Sequence, residues 1–261
     1  MRIALGLEYD GGSFHGWQSQ ADGGGLQDAL ERALSAVAGT RIGVAAAGRT
    51  DAGAHATLQV VHFDTGAVRP DTAWVRGANA LLPQTIAVRW AMPVEPGFHA
   101  RFAATGRHYT YLLLDRPVRP ALLNGKVGWY HRPLAVAAMC AAAATLLGRH
   151  DFSAFRAAEC QAKSAVKTLD RLDIAREDDV VQFNLHADGY LQHMVRNIVG
   201  ALVYVGSGRQ GPDWIGGLLE SRDRTRGAPT FAASGLYLTG VDYPSRWNLP
   251  PTVVPVRVPQ G

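Results

Sequence analysis

The stretch LQDALERALSAVA, residues 26–38, decides how the first half of the chain is read. It places Leu26, Ala29, Leu30, Ala33, Leu34 and Val37 on one side of a helix, and Gly39 follows as a stop signal. Upstream, Arg2–Tyr9 alternates in period two and predicts a strand. Downstream, Arg41–Ala47 and Leu58–Asp64 predict two more strands. A second helix is predicted over Asp71–Leu82, set between Pro70 and Pro83, and a fourth strand over Thr85–Pro93. The order is βαββαβ, the split unit of a ferredoxin-like fold.

The same order returns in the second half. Arg107–Leu114 predicts a strand and Leu134–Leu147 a helix ending near Gly148. Thr168–Arg176 and Val180–Ala187 predict strands around an acidic turn. Gln192–Val205 predicts a helix, Asp213–Glu220 an extra one, and Leu236–Asp242 a closing strand. The expectation is an α+β chain of two ferredoxin-like lobes, 1–104 and 105–247, joined through a largely antiparallel central sheet. Residues 248–261 would form a proline-rich, extended tail.

Composition narrows the function classes. With 261 residues, 47% of them hydrophobic and 18% charged, the chain can bury a sizeable core and does not have a disordered composition. The Ala-rich stretch at 134–147 is too short to span a bilayer, and Met1–Asp10 reads as a strand rather than a signal peptide. These features predict a soluble, cytoplasmic protein without a membrane partner. Cys140 and Cys160 form no C-x-x-C pair and suggest no disulfide framework. His15, His55, His62 and His99 form no recognisable metal set. The net charge of +4 permits a nucleic-acid partner without demanding one. The charge is uneven: residues 1–104 hold 8 basic and 9 acidic side chains, residues 105–261 hold 18 and 13. Phosphate contacts, if RNA binds, would concentrate in the second half.

Between the second and third predicted strands sits Gly48-Arg49-Thr50-Asp51-Ala52-Gly53-Ala54-His55. On pattern alone it reads equally as an ordinary turn or as an accessible carboxylate among small neighbours that let a bulky ligand approach the backbone. Further along, His193, Arg196, Asn197 and Gly200 fall at helical spacing, and Tyr109 shares a strand face with Tyr111. By themselves these read as a surface helix with a solvated arginine and as two sheet-packing aromatics.

A resemblance weights the functional side. Gly48–His55 resembles the G-R-T-D-A-G-V-H signature of the tRNA pseudouridine synthase A family, with Ala54 in the valine position. Other blocks are similar to that family in the same order: Glu8–Gly11 with Gly16–Gln18, Gln59–Phe63, Phe98–Phe102, Asp151-Phe152 with Phe155-Arg156, His193–Gly200, and Gly235–Leu238. The resemblance implies the two-lobed pseudouridine synthase fold, a homodimer and no cofactor. It implies Asp51 as the catalytic nucleophile, with Tyr109 and Arg196 beside it. Arg49, His193, Tyr109 and Leu238 are implied as substrate contacts. The implied substrate is the anticodon arm of several tRNAs, at uridines 38, 39 and 40.

The implied reaction breaks N1–C1′, turns the uracil and joins C5 to C1′, so nothing is oxidised and no redox cofactor is needed. A carboxylate serves it by covalent attack or by removing a sugar proton. Two other readings compete. A non-catalytic RNA-binding module would keep the arginines but would not need Asp51. A metal-dependent hydrolase would recruit Asp51, His55 and His62 as ligands.

Overall fold

The computed structural model describes residues 1–256. Among them are ten strands and five α-helices, mostly in antiparallel pairings, so the chain is mixed α+β. Two compact units divide it: Met1–Arg107 with Tyr237 onward, and His108–Leu236.

Unit 1 begins with strand β1 (Arg2–Tyr9), helix α1 (Leu26–Ala38), strand β2 (Ala45–Ala46) and strand β3 (His55–Asp64). Helix α2 (Asp71–Leu81) and strand β4 (Ile86–Val94) complete the βαββαβ order. β1 lies between β3 and β4, antiparallel to both, with Ile3 opposite Phe63 and Leu5 opposite Val61. Being central, β1 buries both of its faces, and Ile3, Ala4 and Leu5 are fully enclosed. α1 buries Leu26, Ala29, Leu30, Ala33, Leu34 and Ala38, and Gly39 closes it in the left-handed conformation at φ 71°. Trp74 of α2 packs edge-on against Phe63 of β3, ring centroids 5.1 Å apart.

The second strand is far shorter than the predicted Arg41–Ala47. The reason is local. The N–H of Ile42 goes to Ser35 Oγ and that of Val44 to Glu31 Oε1, each at 2.9 Å. Side chains of α1 thus take backbone donors that a ladder would have used. β3 in turn starts three residues earlier than expected, at His55. There it meets strand β10 (Leu236–Asp242) in parallel, Tyr237 opposite His55 and Leu238 opposite Ala56. The first part of the tail runs against β10: Val254 donates its N–H to the Thr239 carbonyl at 2.8 Å, and Val253 bridges Gly240. Residues 257–261 of the predicted tail lie outside the described residues.

Unit 2 contains strand β5 (Gly106–Asp115), strand β6 (Gly128–Tyr130), helix α3 (Val136–Ala143), strand β7 (Gly148–Asp151), strand β8 (Val166–Glu177) and strand β9 (Val180–Ala187). Helices α4 (Met194–Gly206) and α5 (Trp214–Ser221) follow. The strand order is β5-β9-β8-β7, with the short β6 parallel to β5. The predicted helix over 134–147 is trimmed at both ends. Leu134 gives its N–H to the buried carboxylate of Asp115 at 2.8 Å, which holds the chain out of the helix until Val136. After a 3-10 turn at Ala144–Leu146, Gly148 adopts φ 96° and opens β7, an element the apolar pattern did not announce. Asp115 also receives Arg176 through two bonds of 2.6 Å.

Candidate active site

Unit 1 holds Asp51, Arg49 and Leu238; unit 2 holds Tyr109, Arg196 and His193. Each group is built by its own local contacts.

The Asp51 loop joins β2 to β3 and is gripped from several directions. Thr50 is buried; its hydroxyl shares a 2.9 Å hydrogen bond with the Tyr9 phenol, and its carbonyl accepts the Trp17 N–H at 3.0 Å. Burial pushes the Tyr9 phenol far above its ordinary range, so this is a bond between neutral groups. On the other side, Gln59 of β3 donates from Nε2 to the Gly48 carbonyl at 2.7 Å. Within the loop, Ala54 N–H returns to the Asp51 carbonyl at 3.1 Å, and Gly53 takes φ 80° to close that turn.

The segment after β1 lies directly against this loop. A Cβ on Gly16 would sit 2.9 Å from the Thr50 carbonyl oxygen and 3.2 Å from the Asp51 carbonyl carbon, and Gly16 itself has φ 90°. A Cβ on Gly11 would sit 1.9 Å from the Ala54 carbonyl oxygen. Only glycine admits such close approach of two backbones. The outcome is a half-buried Asp51 on a backbone with little freedom, next to an exposed Arg49. The supporting residues Tyr9, Gly11, Gly16 and Gln59 carried no predicted role. Their places in the blocks Glu8–Gly11, Gly16–Gln18 and Gln59–Phe63 were the sequence signal for them.

His55 is buried, with Nδ1 2.9 Å from Asp10 Oδ1 and 3.2 Å from the Gly11 nitrogen. Its ring stacks on Tyr237 at 4.8 Å. His62 lies seven residues further along β3, roughly 23 Å at strand rise and on the opposite face. There it accepts the Ala100 N–H at Nδ1. Desolvation, reinforced by His99 and Arg2, lowers its pKa to about 4, so it is neutral near pH 7. His55 and His62 therefore cannot share a metal ion, which removes the hydrolase reading. Leu238 is fully buried on β10 beside the start of β3, where it pairs with Ala56.

In unit 2, Tyr109 lies on β5 with 8% of its surface exposed, and its ring meets that of Tyr190 edge-on at 4.9 Å. Tyr111, two residues on, is wholly buried and donates its hydroxyl to the Ala232 carbonyl at 2.7 Å. α4 is not the surface helix that spacing alone suggested: eleven of its thirteen residues are buried. His193 is outside the helix, as its N-cap at φ 62°. Asn197 faces inward; its amide donates to the Phe155 carbonyl at 2.8 Å and accepts from the Thr230 hydroxyl at 2.7 Å. Arg196 is half-buried, and its Nε donates to the Phe231 carbonyl at 2.7 Å while Phe231 N–H returns to the Arg196 carbonyl at 3.3 Å. A Cβ on Gly200 would lie 2.4 Å from the Pro229 carbonyl oxygen. The segment Pro229–Ala232 is thus laced to α4 and to Tyr111, and it fixes the plane of the Arg196 guanidinium.

A pinned carboxylate loop on a βαββαβ unit, with an oriented arginine on a buried helix of a second α+β unit, fits the pseudouridine synthase fold. The profile of the tRNA pseudouridine synthase family matches residues 7–103 and 142–244. The tRNA pseudouridine synthase A of Chromobacterium violaceum is 63% identical over 251 residues, covering 96% of each chain. Those of Dechloromonas aromatica and of Neisseria meningitidis are 59% and 56% identical, covering 96% and 95% of this chain and 95% and 94% of their own. The chain belongs to the tRNA pseudouridine synthase family, whose members are isomerases that convert uridine to pseudouridine in tRNA. No helix among the described residues is long and apolar enough to cross a membrane.

Proposed function

We propose that Asp51 is the reacting carboxylate of this isomerase and acts on a uridine turned out of the anticodon stem-loop, at positions 38, 39 and 40. The observation that carries the reading is the grip on the Asp51 loop by Thr50–Tyr9, Gly48–Gln59 and the side-chain-free approach of Gly16. A group that must meet C1′ or the uracil ring at bonding distance gains from a backbone that does not move.

The bookkeeping of atoms is simple. The N1–C1′ bond breaks, the uracil rotates, and C5–C1′ forms; C5 then loses its hydrogen and N1 gains one. Asp51 serves either as a nucleophile toward the sugar or the base, or as the base that takes a sugar proton. Both routes need the carboxylate ionised, and a guanidinium near the reaction favours that form. Arg196 is proposed for this role because its bond to Phe231 orients the guanidinium plane. Tyr109 is proposed to bear on the extruded base with its ring and to relay the C5 proton, its hydroxyl passing its own proton to solvent as it takes this one. Arg49 and His193 are proposed as contacts to the displaced nucleotide or its phosphates, with Leu238 as apolar support behind the loop. A homodimer acting in the cytoplasm, where tRNA is matured, completes the proposal.

The test is incubation of the purified protein with unmodified tRNA transcripts, followed by chemical mapping of pseudouridine. Conversion confined to the anticodon stem-loop is expected. Binding without conversion would leave only the RNA-binding module, and conversion elsewhere in the tRNA would contradict the proposed positions.

A further inference from the structure

The loop from Glu95 to Ala103 in unit 1 is tied down at many of its backbone groups, yet it keeps a phenylalanine in water. Arg2 donates from Nη1 to the carbonyls of Pro96 at 2.5 Å and Phe98 at 2.7 Å. Ala100 gives its N–H to His62 Nδ1 at 3.2 Å and accepts the Tyr243 hydroxyl at 2.6 Å. Arg107 donates to the Arg101 carbonyl at 3.0 Å, and the N–H groups of Arg101 and Phe102 reach His99 Nδ1 at 3.2 and 3.3 Å. Phe98 anchors the loop in the core, its ring against Tyr243 and Trp247. What this network presents outward is Phe102, 77% exposed, its ring 4.3 Å from His99 and tilted by 34°. The Arg101 guanidinium lies 5.7 Å from the same ring.

The surroundings select the ligand. No acidic residue occurs from Pro96 to Arg107, and the nearby Asp64 is neutralised by a two-pronged bond to Arg2 at 2.9 and 2.7 Å. Exposed single apolar side chains are ordinary on protein surfaces. An exposed aromatic face fixed in place, with an arginine over it and no carboxylate from Pro96 to Arg107, is the chemistry that receives a nucleobase and its phosphate. A protein partner would instead call for a wider apolar patch, whereas the residues flanking Phe102 are a charged arginine and alanines.

We propose that Phe102 is a stacking platform for an unpaired base of the bound tRNA, with Arg101 on the neighbouring phosphate. The proposal rests on tRNA being the substrate and adds a contact outside the reacting groups. The test compares the full-length protein with Phe102→Ala, Phe102→Leu and Phe102→Trp on one unmodified tRNA transcript, measuring Kd, KM, kcat and thermal stability. Stacking on an aromatic is worth about 1–3 kcal/mol per base, so Phe102→Ala should raise Kd and KM by about 5- to 150-fold. Saturating kcat and Tm should stay near wild type, because the ring is 77% exposed and the proposed base is not the one that reacts. Phe102→Trp should keep wild-type affinity and Phe102→Leu should not, since leucine has bulk but no π face. Unchanged affinity in Phe102→Ala would overturn the proposal, as would full affinity in Phe102→Leu. A shift of Phe102→Ala to a smaller species in sedimentation would assign the ring to a second copy of the chain and overturn it equally. Failure of the wild type to convert tRNA strikes the functional reading instead, and the affinity comparison still decides the role of Phe102.

Discussion

Tyr109 touches Tyr190 edge-on and is nearly enclosed, so its ring and its hydroxyl can be tested separately. Tyr109→Phe keeps the ring and should retain tRNA affinity while losing most turnover, as expected of a hydroxyl that relays the C5 proton. Tyr109→Ala should lose both; stacking alone accounts for roughly 1–3 kcal/mol of affinity. Steady-state turnover and equilibrium binding on one tRNA separate these outcomes, and near-normal turnover by Tyr109→Phe would leave the ring a stacking role only. Arg196→Lys keeps the charge but cannot reproduce both the Nε bond to Phe231 and a planar fork. It should therefore cost kcat heavily with little change in Tm; activity close to wild type would make Arg196 an ordinary helix residue. His62 gives a pH signature. Its folded pKa of about 4 lies below the ordinary 6.5. The unfolded chain thus binds more protons between those values, and stability should fall as pH drops from about 6.5 to about 4. His62→Asn should flatten that part of a Tm-against-pH curve, and an unchanged slope would exclude His62 as its source.

At the scale of elements, the support of the site comes from glycines. Gly16→Ala must displace either the Thr50 carbonyl or itself from φ 90°, and both alternatives move the Asp51 loop. The expected result is a loss of kcat of tenfold or more with a stability cost of roughly 1–3 kcal/mol, read by turnover and denaturant titration together; full activity would show that the loop tolerates movement. What the residues foretold follows the same logic of local versus distant cause. β1, α1, β9 and β10 appear with their predicted limits because alternation or a 3.6-residue stripe is stored in the elements themselves. β2 shrank because Ser35 and Glu31 of another element captured its donors, and α3 began late because Asp115 captured Leu134. Neither event leaves a periodic trace. The Asp51 loop was legible as a motif, but its partners Tyr9, Gly16 and Gln59 act through contacts made only once β1 and β3 pair. The burial of α4 was equally hidden, since Asn197 looks polar in sequence and spends its amide on Phe155 and Thr230.

At the scale of the whole molecule, the excess of basic over acidic residues lies in residues 105–261. Binding to tRNA should weaken steeply between low and moderate salt as neutralised phosphates release counterions, and a flat salt dependence would contradict an electrostatic grip. The central claim, that the Asp51 carboxylate is the reacting group of the isomerisation, is tested most directly by Asp51→Asn. The substitution preserves size and removes the carboxylate's charge. Purified wild type and Asp51→Asn would be assayed side by side on one unmodified tRNA, for pseudouridine by chemical mapping and for affinity by titration. The account predicts no detectable pseudouridine from Asp51→Asn together with tRNA affinity within a few-fold of wild type; substantial turnover by the variant would contradict it.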